Sequence, residues 1–253
     1  MHTMLDQFRA AVLVQGVSGD LTDALKISSA GRLDTYYAPF EHINSGARVV
    51  LVGITPGQSQ AAAALGELRR HLLSGASDED SLRAAKETAS FSGGMRTALV
   101  GMLDSVGLAR VLGLGACTAL FETSRDLVHY TSALRYPVLC DGVNYSGSPK
   151  IVQTPYLLQM VDHWLADEAR QLPDALWIPL GREPVAALNH LVVRGVLEAS
   201  RILAGLPHPS GANAERISYF LGRKAKEHLS SKTNAAAIDQ ARADIIKKLT
   251  SFA

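Results

Sequence analysis

The segment Arg48-Val-Val-Leu-Val-Gly53-Ile-Thr-Pro-Gly-Gln58 decides how the chain is read. Four apolar residues, Val49 to Val52, stop at a glycine, without polar alternation. A strand that is apolar on both faces is covered on both faces, which predicts a parallel sheet with helices packed against it. Gly53-Ile54-Thr55-Pro56-Gly57-Gln58 then leads from the strand towards a helix. Glycine lets backbone approach a ligand closely, and proline fixes the path. The first amides of a helix favour an anion or a carbonyl oxygen. An ordinary strand–helix turn accounts for the same residues. No Gly-Lys-Ser/Thr follows, so the loop is not a P-loop. Gly57-Gln-Ser59-Gln-Ala61 is similar to a nucleophile elbow without its last glycine, but Ser59 lies six residues past Gly53, whereas an elbow serine follows its strand directly.

Three further strands are predicted at Leu127–Thr131, Ala175–Leu180 and Arg201–Gly205. Between them helical spacing marks Gln60–Ser74, Gly94–Leu108, Ile151–Gln171 and Pro184–Arg194, and a long C-terminal helix starts near Ala214. Alternating strands and helices give an α/β fold: a three-layer α/β/α sandwich around a four-stranded, mainly parallel sheet. Without repeat or linker, residues 1–253 read as one domain. Helical spacing from Asp6 to about Gly16 and over Leu21–Lys26 predicts a helical extension over about 1–45. Ligands of such folds bind at the carboxyl ends of the strands. That directs attention to the Gly53 loop, the loops after Thr131 and Leu180, and Leu206-Pro-His-Pro-Ser-Gly-Ala-Asn213.

Composition narrows the class. At 253 residues, 47% hydrophobic and 19% charged, the chain can bury a full core. No apolar run nears the roughly 20 residues of a membrane span, and the N-terminus lacks the pattern of a signal peptide. Cys117 and Cys140, 23 apart, exclude a disulfide scaffold, a four-cysteine zinc site and a chain-held four-cysteine iron–sulfur cluster. The expectation is a cytoplasmic monomer without cofactor or metal. The net charge of +1 conceals an asymmetry: residues 201–253 hold nine basic and four acidic residues, a balance of +5, which leaves −4 for the rest. A polyanion-binding face has this look, and so do solvated amphipathic helices. Gly113-Leu-Gly115 is half a dinucleotide fingerprint, without its third glycine.

His208 lies between two prolines at the end of a predicted strand. A rigid histidine in a cleft can donate to a developing oxyanion or act in acid–base chemistry. Most lone histidines are structural, and Ser210 or Asn213 can simply cap a helix.

Taken together, the loops resemble the uracil-DNA glycosylase superfamily. Gly53-Ile54-Thr55-Pro56-Gly57 matches its first motif, Gly-x-x-Pro-Gly, and His208-Pro209-Ser210 matches its His-Pro-Ser, continued by Gly211-Ala212-Asn213. Ser90-Phe91-Ser92-Gly93-Gly94-Met95-Arg96 looks like the family's Phe-x-Gly segment. Thr131-Ser132-Ala133-Leu134-Arg135 looks like its Thr-Asn-x-x-Lys, and Leu180-Gly181 its Leu-Gly strand end. The matches run in order across about residues 48–228.

The resemblance implies a glycosylase that flips uracil, or another deaminated base, out of DNA and hydrolyses its N-glycosidic bond, initiating base excision repair. It implies that Phe91 stacks on the base and that His208, neutral, stabilises the negative charge moving onto it. The Gly53–Gln58 loop, with amides near Ile54 and Gln58, contacts the base and positions water. Ser210, Arg216 and the basic C-terminal helix hold phosphates, and Gly211-Ala212-Asn213 enters the space the base leaves. Two departures matter. Thr55 stands where many members carry an acid or amide that handles water, and a hydroxyl is a poor base. Ser132 replaces the asparagine that reads uracil, without a carboxamide's paired donor and acceptor. Asp141, just beyond, is a candidate for the missing carboxylate. The alternative is a catalytically weak or silent homologue that binds DNA or a damaged base.

Overall fold

The computed structural model describes residues 3–14, 21–91 and 94–252. Along the chain, helix α1 (Met4–Val14) is followed by strands β1 (Lys26–Ala30), β2 (Leu33–Tyr36) and β3 (Val49–Gly53). Helices α2 (Gln58–Leu73), α3 (Asp78–Ala89), α4 (Gly94–Ser105) and α5 (Leu108–Leu112) come next, then strands β4 (Val128–Ser132), β5 (Val138–Cys140) and β6 (Val143–Asn144). Helices α6 (Pro155–Met160) and α7 (Ala166–Gln171), joined by a π-helical turn, precede β7 (Leu176–Pro179). Helices α8 (Arg182–Val193), α9 (Ala214–Phe220) and α10 (Ala235–Thr250) complete the chain. The protein is mixed α/β, and no described helix is long and apolar enough to cross a membrane.

The strands form two sheets. One runs β4-β3-β7, and β3 pairs with β7 in parallel from Val49–Leu176 to Val52–Pro179. Every residue of β3 is buried, as an uninterrupted apolar run requires. The expected fourth parallel strand, Arg201–Gly205, is reduced to a parallel bridge between Ile202 and Trp177, with the Leu203 amide donating to the Trp177 carbonyl at 2.8 Å. It ends there because Gly205 turns to φ 124°, and Pro207 and Pro209 have no N–H to extend a ladder.

The second sheet, ordered β1-β2-β5-β6, is antiparallel and replaces much of the expected N-terminal helical extension. Among the described residues there, α1 and a single turn at Asp23–Leu25 are helical. Gly31, at φ 60°, makes the two-residue turn from β1 to β2. The β5–β6 turn is Asp141-Gly142, both at positive φ (51° and 77°), as the Asp-Gly hairpin connection demands.

By contact density the chain resolves into two units. The first holds residues 1–43, 53–90 and 130–171, the second 44–52, 91–129 and 172–253. In the first, Ala61, Ala64, Leu65 and Leu68 make the buried stripe of α2 at helical spacing and join Leu5, Phe8 and Val12 of α1. Phe8 stacks on Tyr37 with ring centroids 4.8 Å apart. Helix α3, absent from the sequence reading, buries Ser81, Ala85, Lys86 and Ala89. Small and charged residues on the inner face leave no apolar period to detect. Its start is secured by Ser77, whose side chain accepts from the Asp80 amide, and by three acids in the first turn.

In the second unit α4 packs against α5 and α9, and α10 against α9 and α5. The long helix expected from Ala214 divides into α9 and α10, because Gly222, at φ 69°, ends the first and Asn234 caps the second by accepting from the Ala237 amide.

Candidate functional site

In the first unit, the loop after β3 is fixed almost atom by atom. The carbonyls of Gly53 and Ile54 accept from the Ala133 and Leu134 amides at 2.8 and 3.0 Å. The Thr55 hydroxyl donates to the Tyr136 carbonyl at 3.0 Å and accepts from the Val138 amide at 3.1 Å. That hydroxyl therefore ties two backbone segments together. Pro56 is buried, and the Gly57 amide donates to the Gln60 side chain at 3.0 Å. The Gln58 amide donates to Asn144 Oδ1 at 2.9 Å, and Gln58 Nε2 to the Gly142 carbonyl at 3.2 Å. The Gln58 amide, expected to face a base carbonyl, is thus occupied by the β5–β6 hairpin.

Ser132 is half-buried at the end of β4. Asp141 is exposed on the hairpin turn, where its carboxylate is bonded to Arg32, and this holds it below the usual carboxylate range. The structure therefore brings Gln58 against the hairpin while directing the Asp141 carboxylate to Arg32, and the Thr55 hydroxyl is bonded to backbone instead. Asn144 and Gln60, which clamp the loop, were missed in the sequence. A two-residue Asp-Gly turn between Val138-Leu-Cys140 and Val143 was the available signal for the hairpin.

The second unit holds the histidine segment. His208 is half-buried beside Gly181, where a Cβ would lie 3.6 Å from His208 Cβ. Gly181 adopts φ 98°, so the Leu180-Gly181 strand end suits glycine. Burial pushes the His208 pKa below 6.5, which keeps the ring neutral at pH 7. Its Nδ1 accepts from the Ser210 amide at 3.3 Å, so the single ring proton sits on Nε2. The result is a neutral N–H donor anchored from behind.

A ladder continues from there. Asn213 Nδ2 donates to Ser210 Oγ at 3.3 Å, Arg216 donates to Asn213 Oδ1 at 2.9 Å, and Arg216 also reaches the Lys232 carbonyl at 3.3 Å. Gly211 and Ala212 are exposed on the short turn between. Phe91, in this same unit, is buried and held at φ 48°, unusual for an aromatic residue and a form of strain that concentrates at functional sites. Ser92 and Gly93 of its segment lie outside the described residues. No cluster of three or more His, Cys, Asp or Glu among the described residues is placed to hold a metal.

Helix α10 supports the approach to His208. Lys248 Nζ donates to the carbonyls of Ile202 at 2.8 Å and Ala199 at 3.2 Å. A Cβ on Gly205 would meet Ala241 Cβ at 2.6 Å, in addition to the strain of φ 124°. Gly205→Ala is expected to lower stability by about 1–3 kcal/mol in urea unfolding. Adding Ala241→Gly should return only the part due to the clash. An unchanged unfolding midpoint in the single variant would show that α10 does not confine this glycine.

The fold and site thus define a mixed α/β protein with two rigid strand-end loops, one of which presents a neutral histidine. No family model and no solved structure matches the chain. It is 36% identical over 222 residues to the "Uncharacterized protein YoxB" of Bacillus subtilis (strain 168), a match covering 87% of each chain. The chain belongs to the family of that protein.

Proposed function

We propose that this protein is a DNA glycosylase that removes uracil, and other deaminated bases, from DNA. In this reading the core is the four-stranded parallel sheet of a uracil-DNA glycosylase-like sandwich, with Ile202 marking its fourth member. The observation that carries the reading is the state of His208. Its Nδ1 is committed to the Ser210 amide and its ring is kept neutral by burial, so Nε2–H is a preorganised donor. Cleavage of an N-glycosidic bond drives negative charge onto the departing base, and such a donor stabilises it without reorganising. Phe91 supplies an aromatic face for the flipped base. DNA is the partner, and the protein acts as a monomer.

A second reading is a DNA-binding homologue with little catalytic power. Two observations favour it: the Thr55 hydroxyl is committed to backbone groups, and Asp141 to Arg32. Neither then serves as a base for water. Single-turnover excision separates the readings, with excess protein on end-labelled oligonucleotides bearing uracil, hypoxanthine or xanthine, followed by alkaline cleavage. Strand scission is expected. DNA binding without scission would leave the second reading in place of the first.

A further inference from the structure

The basic surplus of residues 201–253 is less available than its count suggests. Arg242 lies over the Phe220 ring and donates to the Ser105 carbonyl, Lys248 donates to two carbonyls, and Arg201 bonds to Asp174. Two of these cations belong to α10, which makes that helix a support more than a grip.

The loop between α9 and α10 is different. The Glu215 carboxylate, on α9, gathers it: Oε1 accepts from Lys224 Nζ at 2.8 Å and the Ser230 amide at 3.1 Å. Oε2 accepts from Ser230 Oγ at 2.6 Å and Thr233 Oγ1 at 2.5 Å. The Arg223 amide closes onto the Ser218 carbonyl, and the Lys232 carbonyl is held by Arg216, itself bonded to Asn213. Folded this way, the loop exposes Arg223, Lys226 and Lys232, with Glu227 as the acid among them.

We propose that the loop of residues 222–233, folded around the Glu215 carboxylate, is a docking surface for the phosphate backbone of duplex DNA, contacted by Arg223, Lys226 and Lys232. The proposal rests on the glycosylase reading in taking DNA as the polyanion. It extends that reading by moving the grip from the C-terminal helix to this loop. Glu215 acts as a positioning residue: an anion inside a cation-presenting loop raises affinity for another anion, because it fixes the cations in place.

The test is the salt dependence of binding to an undamaged duplex oligonucleotide, read by fluorescence anisotropy. Each lost phosphate contact lowers the slope of log K against log salt by about 0.9. R223A/K226A/K232A is expected to lower it by about 2–3. Glu215→Ala removes a negative charge, so simple charge counting has it bind tighter; the expected result is severalfold weaker binding with a reduced slope. Lys247→Ala, at an exposed position of α10, is expected to leave the slope unchanged. An unaltered slope in the triple variant, tighter binding by Glu215→Ala, or no duplex binding by the wild type would each overturn the proposal. Excision of deaminated bases with an unaltered slope in the triple variant overturns the loop alone. A salt-sensitive loop in a protein without excision overturns the glycosylase reading alone.

Discussion

His208→Ala is expected to slow single-turnover excision by about 10²–10³, the usual cost of removing one preorganised oxyanion donor. Affinity for undamaged duplex should stay within a factor of about two, because the phosphate contacts proposed here lie on other residues. His208→Gln, which restores a neutral N–H donor on a longer arm, should recover part of the rate. The pH profile adds a separate signature. Protonation would put a second N–H at Nδ1 against the Ser210 amide, and the ring would lose the bond that aims it. Since burial lowers the His208 pKa, excision should hold steady through neutral pH and fall only below pH 6.5. The stability contribution has the same sign: between the folded pKa and 6.5 the unfolded chain binds the proton first, so stability is lost as pH falls. Equal rates in wild type and His208→Ala would remove this histidine from the mechanism.

The sequence was most informative where a single physical rule acted alone. β3 and β7 are short apolar runs, and their boundaries follow from hydrophobicity and the glycine or proline that ends them. The Gly53 and His208 loops were legible because proline and glycine leave few backbone paths. What escaped depended on partners distant in sequence. Helix α3 buries Ser81 and Lys86, and the lysine is admissible there because Nζ reaches the His42 carbonyl at 2.6 Å and the Glu168 carboxylate favours its charge. The antiparallel sheet depends on β2 pairing with β5, a hundred or so residues apart, which no local period encodes. Asp141 drew attention as a carboxylate near a loop; its positive φ and the adjacent glycine make it a turn residue. The roles of Asn144, Gly205 and Glu215 are likewise set by tertiary contacts.

The same dependence explains the other large expected effect, in the interior of the first unit. Arg135 Nε donates to Glu168 Oε1 at 2.7 Å, with both side chains almost fully shielded from solvent, and Arg135 also donates to the Trp164 carbonyl at 3.1 Å. Lys86 is buried beside this pair, and burial lowers its pKa to about 8. Glu41 is partly exposed as a residue, but its Oε2 is sealed from solvent, and burial pushes its carboxyl up to about 7. At neutral pH, then, two cations rely chiefly on Glu168, because Glu41 carries only part of a charge.

Glu168→Gln keeps the shape and removes the charge. A buried cation left without its partner typically costs about 3–5 kcal/mol, and that is the expected loss in urea unfolding at pH 6. At pH 8 the deficit should be smaller. In the wild type Glu41 takes up a proton on folding below about pH 7, so its contribution favours the fold at acid pH and is lost as pH rises through that value. In the variant the uncompensated cations draw Glu41 towards its charged form, which weakens that pH dependence and narrows the gap on the alkaline side. A deficit below about 1 kcal/mol, or one equal at pH 6 and pH 8, would mean that these four groups do not act as one network.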